Sequence, residues 1–312
     1  MTEKAFIREV GLRDGLQLVE AMLPTERKLE WCRDAVEAGI SEVEVTSFVP
    51  AKLVPQFADA EEVARGALRI SNEFTAAALV PNLKGAERAL SLGLSKVNYV
   101  LSASEDHNQA NVRRSCDESV ADFGRIVALR DEQAPGKMRL AAGIATAYGC
   151  TISGVVSEKR VVELAVKLAE QGADEIIIAD TVGYGNPGQV KRILDAVVRA
   201  VAPVPVAAHF HDTRGLGLAN VVSALDVGVR RFDSSLGGLG GCPFAPGATG
   251  NINTEDCAFL LESLGFDTGV DIEALIALRK KVETWLPNER FSGTIVRAGL
   301  PKTFRLPVEQ VV

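Results

Sequence analysis

One pattern constrains this sequence more than any single residue: a short β-branched run, a polar loop and an amphipathic helix follow one another again and again. Strand-like runs fall at 6–10, 42–46, 75–80, 96–101, 140–146, 175–179, 205–209 and 231–235. Between them apolar residues recur at three- and four-residue spacing, at 25–37, 83–92, 117–132, 157–170, 187–201 and 216–227, as helices with one buried face require. Pro24-Thr25 and Asn186-Pro187 supply helix-start chemistry. Gly39, Gly93, Gly172 and Gly228 stand where a chain leaving a helix turns left-handed. Strict βα alternation implies parallel strands joined by right-handed crossovers. Eight such units exceed what an open doubly wound sheet usually holds and close naturally into a ring. The expected fold is α/β: a single (β/α)8 TIM barrel over residues 1–265, with a C-terminal helix and arm over 266–312 packed on the barrel. Trp285-Leu286-Pro287 would end that added helix.

Composition narrows the function classes. The 312 residues carry a formal net charge of −7, which argues against a general nucleic-acid binder, because phosphate neutralisation needs a surplus of Lys and Arg. No apolar run approaches the length of a membrane span, and the start of the chain has no signal-peptide core. The five cysteines are odd in number and widely spaced, with no Cys-x-x-Cys, and so read as reduced thiols. A soluble, cytoplasmic protein is expected, with no nucleic-acid or membrane partner.

Barrel enzymes gather their chemistry at the C-terminal ends of the strands. The polar residues at those ends are Arg13-Asp14-Gly15-Leu16-Gln17 after the first strand, Glu44 and Thr46-Ser47 on the second, and Ser102 to Glu105 after the fourth. Asp180-Thr181 follows the sixth, His209-Phe210-His211-Asp212 closes the seventh, and a glycine-rich loop, 237–251, follows the eighth. His209 and His211 are two of three histidines, and their i, i+2 spacing on a strand turns both imidazoles to one side, here the barrel interior. Asp14 on the adjoining first strand would complete a mixed nitrogen–oxygen metal site. The plainer alternatives are a pair of hydrogen-bonded core histidines, a local Arg13–Asp14 ion pair, and Asp180 as a helix cap. Cys242 lies within the glycine-rich loop, where a free thiol is a liability unless used.

The segments Val10-Gly11-Leu12-Arg13-Asp14-Gly15-Leu16-Gln17, Thr46-Ser47-Phe48-Val49, Val54-Pro55-Gln56, His209-x-His211-Asp212-Thr213 and Gly238-Leu239-Gly240-Gly241-Cys242-Pro243 resemble the hydroxymethylglutaryl-CoA lyases, of the DRE-TIM metallolyase group. The similarity spans about residues 5 to 265. It implies an acyl-CoA substrate split into acetyl-CoA and acetoacetate, and Asp14, His209, His211 and Asn251 as ligands of Mg2+ or Mn2+. It implies Arg13 as the enolate-stabilising arginine, Cys242 as the catalytic cysteine, and Glu44 and Asp180 as active-site acids. A base near the metal, His209 or Asp14, would take the 3-hydroxyl proton, and Cys242 would protonate the enolate carbon beneath a closed lid.

Leu12 stands where the family usually has proline, and the stretch 104–111 and Arg214 depart from the animal forms, so the acyl group is less defined than the reaction type. The competing substrates are citramalyl-CoA or a longer-branched analogue; a 2-keto acid aldolase has no evident use for the cysteine. A two-His-one-carboxylate Fe(II) oxygenase and a non-catalytic binding barrel are readings from other classes. Lys52 and Arg214 are candidate phosphate contacts, and the expected assembly is a homo-oligomer, dimer or tetramer.

Overall fold

The structure, a computed structural model, describes residues 2–241 and 250–304. Its order is β1 (Phe6–Glu9), α1 (Thr25–Glu37), β2 (Glu42–Ser47), α2 (Ala60–Ala67), β3 (Thr75–Val80), α3 (Leu83–Ser91) and β4 (Lys96–Ser102). Then come α4 (Glu105–Val112), α5 (Cys116–Gln133), β5 (Arg139–Ala145), α6 (Glu158–Glu170), β6 (Glu175–Asp180), α7 (Pro187–Val201) and β7 (Val206–Phe210). The chain continues through α8 (Gly217–Leu225), β8 (Arg231–Ser234), α9 (Thr254–Ser263), α10 (Ile272–Trp285) and α11 (Ile295–Ala298). The eight strands pair in parallel in chain order and close, β1 against β8, into a barrel. No helix among the described residues is long and apolar enough to cross a membrane.

The outward faces of the strands form an apolar layer against the helices. Outward-facing residues such as Val97, Tyr99 and Leu101 on β4, or Ile176 and Ile178 on β6, pack in one continuous core with the helices. Each fully buried aliphatic side chain there contributes about 1.5–3 kcal/mol. Gly39, Gly93, Gly172 and Gly228 all have positive φ, as their places after helices require. At Gly39 nothing else fits, since a Cβ would stand 2.1 Å from the Gly269 carbonyl oxygen.

The helices α2, α4, α9 and α11 were not anticipated from periodicity. α4 has no apolar face; it starts because Ser104 accepts from the His107 N–H, and it stops at Arg113 in the left-handed conformation. The strand expected to reach residue 146 ends at Ala145, and Thr146 also takes a left-handed φ.

The interior is unusually charged. Following the register round the ring, with the one-residue-per-strand stagger of a shear-eight barrel, puts Arg8 level with Ala77, Ala141 and Ala207. Three methyl side chains leave the width of the lumen to one guanidinium. Arg8 Nε donates to Asp233 Oδ1 at 2.6 Å and Nη1 to Glu175, while Lys96 Nζ donates to Glu42 at 2.6 Å and to Glu175 at 3.1 Å. A buried network of this kind persists because removing one partner would strand the others' charge.

Candidate metal and active centre

The centre is built on the turn after β1. The Val10 carbonyl accepts from the N–H groups of Arg13, Asp14 and Gly15 at 3.1, 2.7 and 3.3 Å, winding Gly11–Gly15 into a single π-helical turn. Gly11 permits it: a Cβ would lie 2.4 Å from Glu9 Oε1 and 2.6 Å from the Trp31 ring. Leu12 is buried in the core beneath the turn. Arg13 and Asp14 are thereby carried over the mouth of the barrel.

There Asp14 meets His209 of β7 and His211 just past its end. The two imidazole centroids are 5.1 Å apart, and Asp14 Oδ2 lies 3.9 Å from His209 Nε2 and 3.6 Å from His211 Nε2. The ligand atoms of the three residues all lie within 4.8 Å of one another. Asn251 joins them because the chain returns alongside β7, with Asp212 N bonded to Gly250 O and Ile252 N to Phe210 O. Its Nδ2 donates to Asp14 Oδ2 at 2.7 Å, and its Oδ1 is buried with no partner among the described residues.

A carboxylate, two imidazoles and a buried amide oxygen without a partner, with no thiolate in the group, fit a hard or borderline divalent cation. The electrostatics agree. Burial works to raise the Asp14 carboxyl, but Arg13 and the two imidazoles outweigh it and hold the group far below the usual carboxylate range. Burial works to lower His209, but the hydrogen bond it donates to Asp233 and the charge of Asp14 raise it.

Arg13 is held on two sides, Nε donating to Glu44 Oε2 at 2.5 Å and Nη1 to Asp14 Oδ1 at 2.6 Å. Glu44 also accepts from Asn98 Nδ2 at 2.7 Å, so its carboxylate is a fixed seat for the guanidinium. Asp180, at the end of β6, accepts from the backbone N–H groups of Tyr184 and Gly185 at 2.8 and 2.9 Å and shapes the loop beside the mouth. Burial raises its pKa against those two hydrogen bonds. Cys242 falls outside the described residues.

Arg214 and Lys52 are both exposed. Arg214 Nη1 donates to the carbonyls of Val182 and Gly183, and its guanidinium stacks 4.6 Å from the Tyr184 ring, tying the β6 and β7 loops together. The third histidine, His107, bonds through Nδ1 to Ser102 Oγ and is not in the metal-ligating group.

Asp233 was missed by sequence reasoning. Its Oδ2 lies 3.2 Å from His209 Nδ1, which turns that ring's Nε2 towards Asp14. The signal was present: Asp233 shares the interior parity of β8 and pairs directly with His209.

The sequence profile of the HMGL-like family matches residues 4–282. The hydroxymethylglutaryl-CoA lyase YngG of Bacillus subtilis (strain 168) is 40% identical over 281 residues, covering 90% of this chain and 93% of that protein. The (R)-citramalyl-CoA lyase of Chloroflexus aurantiacus is 40% identical over 284 residues, covering 88% and 89%. Among solved structures, an HMG-CoA lyase from Acinetobacter baumannii, in complex with coenzyme A and 3-methylmalate, superposes with a TM-score of 0.90 at 41% identity, covering 98% of each chain.

Proposed function

The chain belongs to the HMGL-like family and is a carbon–carbon lyase, and from that premise we propose that it cleaves 3-hydroxy-3-methylglutaryl-CoA to acetyl-CoA and acetoacetate, with Mg2+ or Mn2+ as cofactor. The observation that carries this reading is the Asp14–His209–His211 cluster with Asn251 at its side and Arg13 beside it.

Asp14, His209, His211 and Asn251 would hold the cation, which when bound supplies Lewis acidity that lowers the pKa of a hydroxyl brought to it. The 3-hydroxyl proton goes to a base of the same cluster. His209, whose bond to Asp233 and proximity to Asp14 favour its protonated form, is suited to keep it. The C2–C3 bond then breaks, its electron pair passing into the thioester as an enolate, and a carbonyl is left at C3. Arg13, seated by Glu44, holds the enolate oxygen. Cys242 delivers a proton to C2 and completes acetyl-CoA; a thiol of ordinary pKa, about 8.5, is mostly protonated at neutral pH and serves as an acid. The described cysteines Cys32, Cys116, Cys150 and Cys257 are free and buried, which suits a reducing, cytoplasmic setting.

The test is to incubate the purified protein with Mg2+, a thiol reductant and hydroxymethylglutaryl-CoA and to measure acetoacetate. EDTA should abolish its formation, and Mg2+ or Mn2+ should restore it. The equal identity to a citramalyl-CoA lyase favours that thioester as the second reading. Rapid cleavage of citramalyl-CoA with no acetoacetate from the first substrate would decide for it.

A further inference from the structure

The ring of strands is complete at β8, and α10 with the arm at 287–294 lies outside it. The arm nevertheless reaches the root of the glycine-rich loop. Gly237 has both its backbone groups taken there. Its N–H donates to the two carboxylate oxygens of Glu255 on α9 at 3.2 and 3.0 Å, and its carbonyl accepts from Ser292 N on the arm at 2.7 Å. One guanidinium joins those two partners. Arg279 of α10 is 2% exposed; its Nη1 donates to the Ser292 carbonyl and to Glu255 Oε1, the latter at 3.4 Å. Its Nε donates to Glu283 at 2.9 Å, and it lies 5.5 Å from the centroid of the Phe291 ring. The far end of the arm is tied to α9, where Asp256 accepts from Thr294 N and Ile295 N, each at 2.8 Å.

The approach is one that only glycine permits. Gly237 and Gly238 have φ of 62° and 67°, and a Cβ would stand 2.4 Å from Phe291 Cδ1 at the first and 2.1 Å from Ser292 Oγ at the second. Leu239 follows directly, and its carbonyl accepts from Asn251 Nδ2 at 3.0 Å. The Asn251 backbone is set by its pairing beside His211, but its amide turns about a terminal torsion with a broad, roughly two-fold profile. Two acceptors decide which way it faces. Asp14 Oδ2 takes one amide proton and the Leu239 carbonyl takes the other, so Oδ1 is left without a partner among the described residues. Asp14 Oδ2 is also the oxygen within 3.9 Å of both imidazoles, where a cation would compete for it. The Leu239 carbonyl is free of that competition.

Resting on the metal reading given above, we propose that Arg279 and Ser292 are positioning residues of the metal centre. Through Gly237 they fix the Leu239 carbonyl, and that carbonyl fixes the Asn251 amide with Oδ1 towards the cation. The arm outside the barrel therefore sets the affinity of a site at the barrel mouth, because an amide already turned the right way loses no freedom when the ion arrives.

The experiment measures the Mn2+ Kd by calorimetric titration of the full chain, without substrate, and the Tm of each variant. Arg279→Gln removes the guanidinium that joins Glu255 to Ser292, and Ser292→Pro removes the N–H that the Gly237 carbonyl accepts. Both should weaken Mn2+ binding by about tenfold or more. Ser292→Ala keeps that N–H and should stay within about threefold of the wild type. Val282→Ala, a core change on the same helix, should lower Tm and leave Kd unmoved, which separates positioning from loss of stability. With Asn251→Ala already present, Arg279→Gln should weaken binding by less than about twofold more, because the group it positions is gone. A folded Arg279→Gln protein with the wild-type Kd overturns the proposal, whether or not Ser292→Pro folds. So does an Arg279→Gln effect undiminished by Asn251→Ala, or an equal weakening by Val282→Ala. If the wild type binds no Mn2+, the metal reading fails, and amide hydrogen exchange over 236–240 and 250–253 decides the positioning. Faster exchange in Arg279→Gln then supports it, and equal protection overturns it.

Discussion

Replacing Glu9 with glutamine isolates the cost of a buried carboxyl beneath the mouth. Glu9 Oε1 accepts from Gly11 N at 2.8 Å and Leu236 N at 2.9 Å, and Oε2 accepts from the Thr254 hydroxyl at 2.5 Å. It therefore binds the root of the Arg13–Asp14 turn to the root of the glycine-rich loop. Burial, with the charge of Glu255 adding to it, outweighs those hydrogen bonds and pushes the pKa from 4.5 up to about 7. Below pH 4.5 the carboxyl is protonated in both the folded and unfolded states and pH has no leverage. As pH rises from there towards 7 the unfolded chain ionises first, so stability is lost through that window and levels off above it. The shift of about 2.5 units corresponds to about 3 kcal/mol at about 1.36 kcal/mol per unit.

A glutamine keeps Oε1 for the two N–H groups, and its amide can donate to Thr254 Oγ1, which passes its own proton to Ser234 Oγ, 2.9 Å away. Glu9→Gln should therefore match the wild type at pH 5 within about 1 kcal/mol. It should exceed the wild type by about 3 kcal/mol at pH 8, or about 4–5 °C in Tm for a chain of this size. Thermal and urea unfolding from pH 5 to 8 at fixed ionic strength read the difference. Glu255, also raised to about 7 by burial, tilts the curves of both proteins, so the gap between them reports Glu9 together with its repulsion of Glu255. Parallel curves for the two proteins would refute the reasoning.

Asp233→Asn should weaken Mn2+ binding by about 10–100-fold, because the ring of His209 loses its charged anchor; an unchanged Kd by titration would reject that role. Lys96→Met leaves Glu42 and Glu175 short of a countercharge and should cost about 3–5 kcal/mol in urea unfolding; a loss under about 1 kcal/mol would mean water already screens the lumen. Arg13→Gln should lower kcat by about 10²–10³-fold with KM little changed. A raised KM at constant kcat would assign Arg13 to substrate binding alone.

What was legible in the sequence, and what was not, divides along a physical line. The parity of a strand is a local property: alternate residues face opposite sides, so His209 and His211 had to share the lumen once β7 was recognised. Ile176-Ile177-Ile178 announced a strand buried on both faces in the same way. Helix ends were equally local, written in glycines and caps. α4 escaped because it has caps but no apolar face, and periodicity is blind to such a helix.

The height at which residues from different strands meet is not local; it depends on the shear at which the ring closes. Lys96 and Glu175 read as polar strand starts, and only closure brings them together with Arg8. Asp14 could be assigned to the histidines without that knowledge, because a turn at the strand end reaches over the mouth whatever the stagger. Asp233 could not be assigned by eye, yet it needed only one more step: β8 is paired to β7, parity puts Asp233 inside, and the register sets it opposite His209. The parts of the centre that hang from loop ends were therefore the readable ones. Those set within strands, Asp233 and Asn98, carry their meaning in the register, and there the carboxyl that orients a metal ligand and the amide that seats Glu44 look like ordinary strand residues.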